Sequence, residues 1–380
     1  MRHPISRRTV LAGLAAVPAA LALPPALASA AVSQRPGQKP AADGLTVLDA
    51  GPHAGLTTAF TAYGDSGQGW TGADSTYSLA LPGARQLWMF SDTFLGTVEP
   101  DGSRASDTPI VNNTFVVRRH GDMRTIHGGT AQAPQAILSP TQPDSWYWLG
   151  GSYLGAGAVN IMFLRFQRTG PGMWDWAWQE NVLGRFRVDD LTLLGTYPMP
   201  SAAKIQWASW LDRHGAHTYV YGVEDHGLTK YMHVARVRGD DLRHPWEYFD
   251  GQGWSPHETD SARIMAGVAN EYSVTRWRGR YLLVTHDTNT LFSNQILGYV
   301  SAAPTGPFTH PTLLYTTPET GALGSYGDPD VITYNSHEHP ELRRGDRLII
   351  TYNVNSLDFD DVLADVTKYR PRFVEIRVRG

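Results

Sequence analysis

The sequence predicts an all-β fold, a five-bladed β-propeller, and three observations carry that expectation. The 380 residues include Gly 38 and Pro 25, so turn formers punctuate the whole chain. Short runs of alternating apolar residues recur between those turns, among them 77–92 (YSLALPGARQLWMFSD), 160–170 (NIMFLRFQRTG), 230–239 (KYMHVARVRG) and 271–287 (EYSVTRWRGRYLLVTHD). Several of these runs join two strands through a Gly-containing turn, the signature of a hairpin, and beyond the first thirty residues none keeps a helical period.

Residues 1–30 read as an export signal. Arg2, Arg7 and Arg8 precede an apolar stretch from Val10 to Leu27, and Ala28-Ser29-Ala30 forms a small-residue cleavage site. Ser6-Arg7-Arg8-Thr9 fits the twin-arginine pattern, which predicts export in the folded state. The absence of cysteine agrees with that route, and it excludes disulfides, zinc–thiolate sites and thiol nucleophiles. Residues 31–44 form a Pro/Ala-rich leader, and 45–380 read as one domain. The expected product is a secreted, monomeric protein with no membrane attachment once the signal is removed. Removal also takes the net charge from -4 to -7, which disfavours nucleic acid as a partner.

Within the domain, four segments share a plan in which a polar residue precedes a strand, a turn and an aromatic-rich strand. They begin near Asp74, Trp207, Glu271 and Asp330. A fifth unit fits near Asn112–Asn113, with 146–151 (WYWLGG) as its later strand. Units of roughly 65 residues suit propeller blades, with another blade number and a jelly-roll sandwich ranked behind.

The same strand starts hold the candidate chemistry. Asp74 lies in Gly-Ala-Asp just before a strand pair, Asp92 ends LWMFSD, Glu271 lies in Ala-Asn-Glu-Tyr, and Asp330 follows Gly-Asp-Pro. Acids at the innermost strands of a propeller face its axis. Glycoside hydrolysis needs one carboxylic acid to protonate the leaving oxygen and a second carboxylate as base or nucleophile, and a third acid can tune the pair. Each acid also suits an ordinary turn, where Asp bonds its own backbone. Trp70, Trp207, Tyr272, Tyr326 and Asn113 are the candidate sugar-binding residues, although packing is the commoner use of any single Trp. Glu224-Asp225-His226 reads as a solvated hairpin tip. His337-Glu338-His339 reads as a loop, with metal binding the lesser reading. No cofactor is expected, and a structural Ca2+ held by Asp and backbone carbonyls stays compatible with the sequence.

These motifs carry a resemblance. 70–96 (WTGADSTYSLALPGARQLWMFSDTFLG), Asn112-Asn113-Thr114, Asn270-Glu271-Tyr272 and Tyr352-Asn353-Val354-Asn355 are similar to a family of secreted actinobacterial proteins. That family is known as domain of unknown function 4185, with a cousin numbered 5005. Asp74, Asp92-Thr93 and the Tyr-Asn-Xaa-Asn ending match its pattern over most of residues 60–356, with Ser91 where the family usually has Gly. The resemblance implies a five-bladed propeller and glycoside hydrolases of the endo-D-arabinanase type, acting on a furanoside polysaccharide such as arabinan. It suggests Asp74 as base or nucleophile, Glu271 as general acid, and Asp92 or Asp330 as the tuning acid. A non-catalytic carbohydrate-binding propeller is the alternative.

Overall fold

The computed structural model describes residues 44–172 and 174–380. The expected signal and almost all of the leader lie outside the described residues. The described residues are all-β, as expected; their two α-helices, Ala54–Gly64 and Phe359–Ala364, are short. No helix among the described residues is long and apolar enough to cross a membrane.

Among the described residues the strands gather into seven sheets, five of them built on an antiparallel run of four neighbouring strands. The first sheet orders Tyr77–Leu81, Arg85–Phe90, Thr114–Arg119 and Asp122–Ile126. The second orders Ser145–Gly155, Ala158–Arg168, Trp176–Phe186 and Leu193–Met199. The third orders Gln206–His214, His217–Asp225, Lys230–Arg238 and Trp246–Phe249, and two short strands extend it. The fourth orders Tyr272–Trp277, Arg280–His286, Gln295–Ser301 and Thr309–Thr316. The fifth takes Val331–Glu338, Arg347–Ser356 and Arg372–Arg379 from the C-terminal part of the chain. Its outer strand is Thr46–Pro52, which pairs antiparallel with Arg372–Arg379.

Local chemistry sets these elements. Trp277 and Arg280 pair across Arg278-Gly279, where φ is 48° and 80°. Two consecutive positive φ values match the twist of a two-residue hairpin, and glycine supplies one of them without strain. Leu87, Trp88, Met89 and Phe90 are all fully buried, so this strand is apolar on both faces and lies between packed layers.

The first strand of each sheet packs against the first strand of the next, from Tyr77–Leu81 round to Val331–Glu338. The first and fifth sheets also meet. The Tyr77 ring stacks on His337 at 4.3 Å, and Ser78 Oγ lies 2.5 Å from His339 Nδ1. Close approach at this centre needs Gly150, because a Cβ there would stand 2.1 Å from the Ala208 carbonyl oxygen. One buried cluster runs through the first four sheets and includes Tyr77, Leu149, Trp210 and Val274.

The expected repeat frame needs one correction. Asn112 and Asn113 do not open a unit; they precede the third strand of the first sheet, and the second sheet opens at Ser145. The 146–151 run is therefore an innermost strand rather than a later one. His337 and Glu338 end a strand and, with His339, are buried, so this segment is not an exposed loop.

Candidate active site

The loop before the first sheet is held in an unusual conformation. Ser75 and Thr76 have φ of 65° and 61°, consecutive left-handed residues without glycine. Such strain persists only where surrounding contacts fix it. Asp74 N donates to the Asp92 carbonyl at 3.2 Å, and Ser91 N donates to the Asp74 carbonyl at 3.2 Å. Thr76 Oγ1 donates to Asn353 Oδ1 at 2.9 Å. The backbone thus clamps Asp74 beside Asp92.

Glu271 reaches the same place from the loop before the fourth sheet. Ser75 Oγ lies 2.6 Å from Glu271 Oε1 and 2.8 Å from Ser91 Oγ. Ser75 is the donor in both geometries, and a hydroxyl carries one proton, so Glu271 and Ser91 compete for it, with Glu271 the shorter contact. Tyr334 donates its hydroxyl to Asp74 Oδ2 at 3.1 Å. Asn112 Nδ2 and Trp148 Nε1 each donate to Asp92 Oδ1 at 2.9 Å.

Three acids from distant segments therefore meet with little compensation. Asp74 and Asp92 are 5% and 1% exposed, and the Glu271 side chain is 14% exposed. None forms an ion pair with Lys or Arg among the described residues. Asp74 Oδ1 and Glu271 Oε2 are buried without a hydrogen-bond partner. A buried, unbalanced carboxylate favours its neutral form. Burial pushes Asp74 up to about 7, against the lowering effect of the Tyr369 and Tyr334 hydroxyls. Burial and then the Asp74 charge push Asp92 well above the usual carboxylate range. Burial raises Glu271 well above its ordinary value too; the Ser75 hydrogen bond opposes the rise and the Asp74 charge adds to it.

His337 completes this centre. Its Nε2 lies 3.2 Å from the Thr76 carbonyl and so carries the proton. The bare Nδ1 has no partner and lies 3.9 Å from Glu271 Oε2. Burial lowers the His337 pKa to about 4, so the ring is neutral near pH 7.

Asp74 and Glu271 line a cavity of ≈340 Å³. Its aromatic wall is Trp148, Phe166, Trp176 and Trp178 from the second sheet. Trp148 stands 4.4 Å from Phe166 and 5.4 Å from Trp176, ring centre to ring centre. Across the cavity, Asp225 pairs with Lys230 at 2.6 Å and accepts from Asn270 Nδ2 at 2.7 Å. Flat apolar walls rimmed by amides and carboxylates suit a polyhydroxylated ring. Among the described residues no group of three or more His, Asp or Glu is placed to hold a metal ion.

The structure brings Asp74, Asp92 and Glu271 together and leaves Asp330 apart. Asp330 precedes the fifth sheet's first strand, but that strand passes the cavity several residues later. It bulges between Tyr334 and His337 and presents Asn335 instead. The Asp330 backbone closes a turn with Asp328 and receives Leu357 N.

The five expected sugar-binding residues lie elsewhere. Trp70 is fully buried beside Phe60 and Phe90, at 5.5 and 5.4 Å, under the helix Ala54–Gly64. Trp207 is fully buried and donates to Glu258 at 2.9 Å. Tyr272 is fully buried and donates to the Gly222 carbonyl at 2.8 Å. Tyr326 joins Thr367 and Arg372 at 2.7 Å each, outside the cavity. Asn113 is fully buried and bonds the backbone of Leu138 and Tyr147. Aromatic residues at strand starts fill the spaces between sheets, where large apolar area is worth most.

Sequence reasoning missed Trp148, Trp176, Trp178, Ser75, Asn335 and Asp225. One signal was available for the tryptophans: 174–178 (WDWAW) places Trp at alternate positions, hence on one face of an extended segment. Asp225, taken as part of a solvated tip, ends its strand turned inward.

The profile of the family described as Domain of unknown function (DUF5005) matches residues 57–378, and the chain belongs to that family. No curated protein matches it significantly. Among solved structures, a candidate hydrolase from Bacteroides ovatus ATCC 8483 is 19% identical. It aligns with a TM-score of 0.72 over 86% of this chain and 90% of that one, so the two share a fold. The α-L-arabinofuranosidase of Podospora anserina, in complex with cellotriose, is 9% identical at a TM-score of 0.47. That alignment spans 83% of this chain and 93% of that one. A GH43_1 enzyme of Xanthomonas citri complexed with xylose is 13% identical at 0.47, over 84% and 92%.

Proposed function

We propose that this member of the DUF5005 family is a secreted glycoside hydrolase acting on a furanoside polysaccharide such as arabinan, on a five-bladed propeller. The observation that carries the reading is the site. Asp74 and Glu271 line a tryptophan-walled cavity with Asp92 clamped beside Asp74, and none of the three has a Lys or Arg partner among the described residues. Binding a neutral sugar has no need of such acids, and holding them there costs stability. The propeller reading rests on five antiparallel sheets whose first strands pack in sequence, with Thr46–Pro52 completing the last one. The fold alone would not give the function.

Glu271 is the general acid. Glu271 lines the cavity, and burial raises its carboxyl well above the ordinary value so that it keeps a proton there. That proton passes to the glycosidic oxygen as the bond to the anomeric carbon breaks. Asp74 is the base or nucleophile on the other side of the bond. Asp92 is the tuning acid: its position beside Asp74 couples the two charges. Trp148 ties the aromatic wall to Asp92, so sugar stacking and acid placement share one anchor. Export through the twin-arginine signal and a monomeric state belong to the same proposal.

The test is product release. The purified protein is incubated with arabinan, mycobacterial arabinogalactan, fructan and xylan, and soluble oligosaccharides are separated by chromatography. Release from one polymer, abolished in Asp74→Asn and Glu271→Gln, supports the reading. Folded protein that releases nothing from any of them sinks it and favours a binding module.

A further inference from the structure

A second cavity, of ≈670 Å³, adjoins the acid site. Both cavities have Gly227, Asn270 and Asn335 in their walls, so they are two halves of one depression. The acids stand at the boundary. Asn270 directly precedes Glu271, and Tyr334, whose hydroxyl holds Asp74, lines the second cavity.

Two loops build its outer walls. The turn after Asp225 carries Leu228, and 287–294 carries Leu291 and Phe292. Leu228 and Leu291 are 59% and 56% exposed, apolar side chains held at an open rim. Deeper in the wall lie Lys230, His286 and Asp287, at 7%, 3% and 8% exposure. Asp287 Oδ1 accepts from Asn289 N and Nδ2 at 3.0 and 2.8 Å, which fixes the 287–294 loop. Trp174 lines this cavity, while Trp176 and Trp178 line the first. The turn at Trp174 and the strand that starts at Trp176 therefore serve one half each.

We propose that this second cavity binds further sugar residues of the same polysaccharide chain, on the far side of the bond that is cut. The inference rests on the glycoside hydrolase reading and deepens it: a chain that continues past the acids in both directions is cut internally, not trimmed from an end. The chemistry matches a sugar ring, with Trp174 and Phe292 for its apolar faces and Asn270, Asn289 and Asn335 for its hydroxyls. Continuity with the acid site selects the occupant, because a chain threaded past Glu271 enters this space next.

The test compares the full-length protein with its Leu228→Ser, Trp174→Ala and Phe292→Ala variants. kcat/KM is measured on whichever polymer of the panel is cleaved and on a short aryl glycoside of the same sugar. The ratio of polymer to short-substrate kcat/KM is expected to fall about tenfold in the variants, equivalent to about 1.4 kcal/mol. The wild type is expected to release a spread of chain lengths from the first minutes. Monosaccharide as the first product, or equal losses on both substrates, overturns the inference while leaving the hydrolase reading intact. Retardation in native gels containing each polymer separates the remaining cases. Retardation without hydrolysis, weakened in Leu228→Ser, retains the cavity as a sugar site and removes the hydrolase. A wild type neither retarded nor active on any polymer overturns both. Leu228 is exposed, so its variant remains a fair test if the others misfold.

Discussion

Glu271 and Glu338 sit at the centre of the molecule in opposite circumstances. Glu338, at the end of the fifth sheet's first strand, is fully buried and fully paired. Arg343 Nε donates to Oε1 at 2.7 Å, and Arg343 Nη2 and Thr275 Oγ1 donate to Oε2 at 2.6 Å each. Glu271 has one hydroxyl on Oε1, nothing on Oε2, and a neutral His337 nearby instead of a cation. A buried charge balanced by guanidinium is a structural element; removing one partner is what costs. A carboxyl left short of partners beside an open cavity is held ready to give up a proton. Burial alone does not separate the two roles, and the count of partners does.

The largest expected effect breaks the comparison on the catalytic side. Glu271→Gln and Asp74→Asn should each lower hydrolysis by about 10³-fold, within the range general acid–base groups supply. Circular dichroism should show the fold intact, because neither side chain is an ion-pair partner.

Stability should sort the two glutamates the other way. Arg343→Met strands Glu338 without its counter-ion and should cost about 3–5 kcal/mol in denaturant unfolding. Glu271→Gln should cost less than about 1 kcal/mol, or stabilise, since it removes an uncompensated acid. Equal losses would erase the distinction.

A smaller effect lies in the pH dependence. Asp74 ionises near 7 in the folded protein and at 3.8 ordinarily. Between those values the unfolded chain has lost a proton that the folded one keeps, so stability falls as pH rises through this window and levels off above it. Asp74→Asn should flatten that decline, read from unfolding midpoints at pH 4 to 7. The same titration governs catalysis with the opposite sign: activity should fall below pH 7 as Asp74 takes up its proton, and fall again at high pH as Glu271 loses its own.

The smallest effect concerns the rim. Asp225→Asn should raise KM about threefold to tenfold with little change in kcat, because it weakens the link to Lys230 and Asn270 without touching the acids. A collapse in kcat would move Asp225 into the reaction itself.

The period of the sheets was legible because turns and alternation mark it directly. Asp74 and Glu271 were legible for the same reason, as acids placed just before a strand. Asp330 looked equivalent, but the bulge at Tyr334–His337 shifts that strand against the cavity, and a bulge has no residue signature. The aromatic residues could not be sorted by type. Trp70 and Trp148 are the same side chain, and only the packing of helix Ala54–Gly64 over Trp70 sends it to the core. Asp225 was hidden because a hairpin end reads the same whether it faces solvent or a neighbouring sheet.

The most direct measurement of the central claim is product release by wild type and Glu271→Gln side by side on the polysaccharide panel, with unfolding curves on both proteins. Wild type should release oligosaccharides from one polymer, Glu271→Gln about 10³-fold less, and the variant should lose less than about 1 kcal/mol of stability or gain some. Undiminished release by Glu271→Gln, or none from a folded wild type, would contradict it.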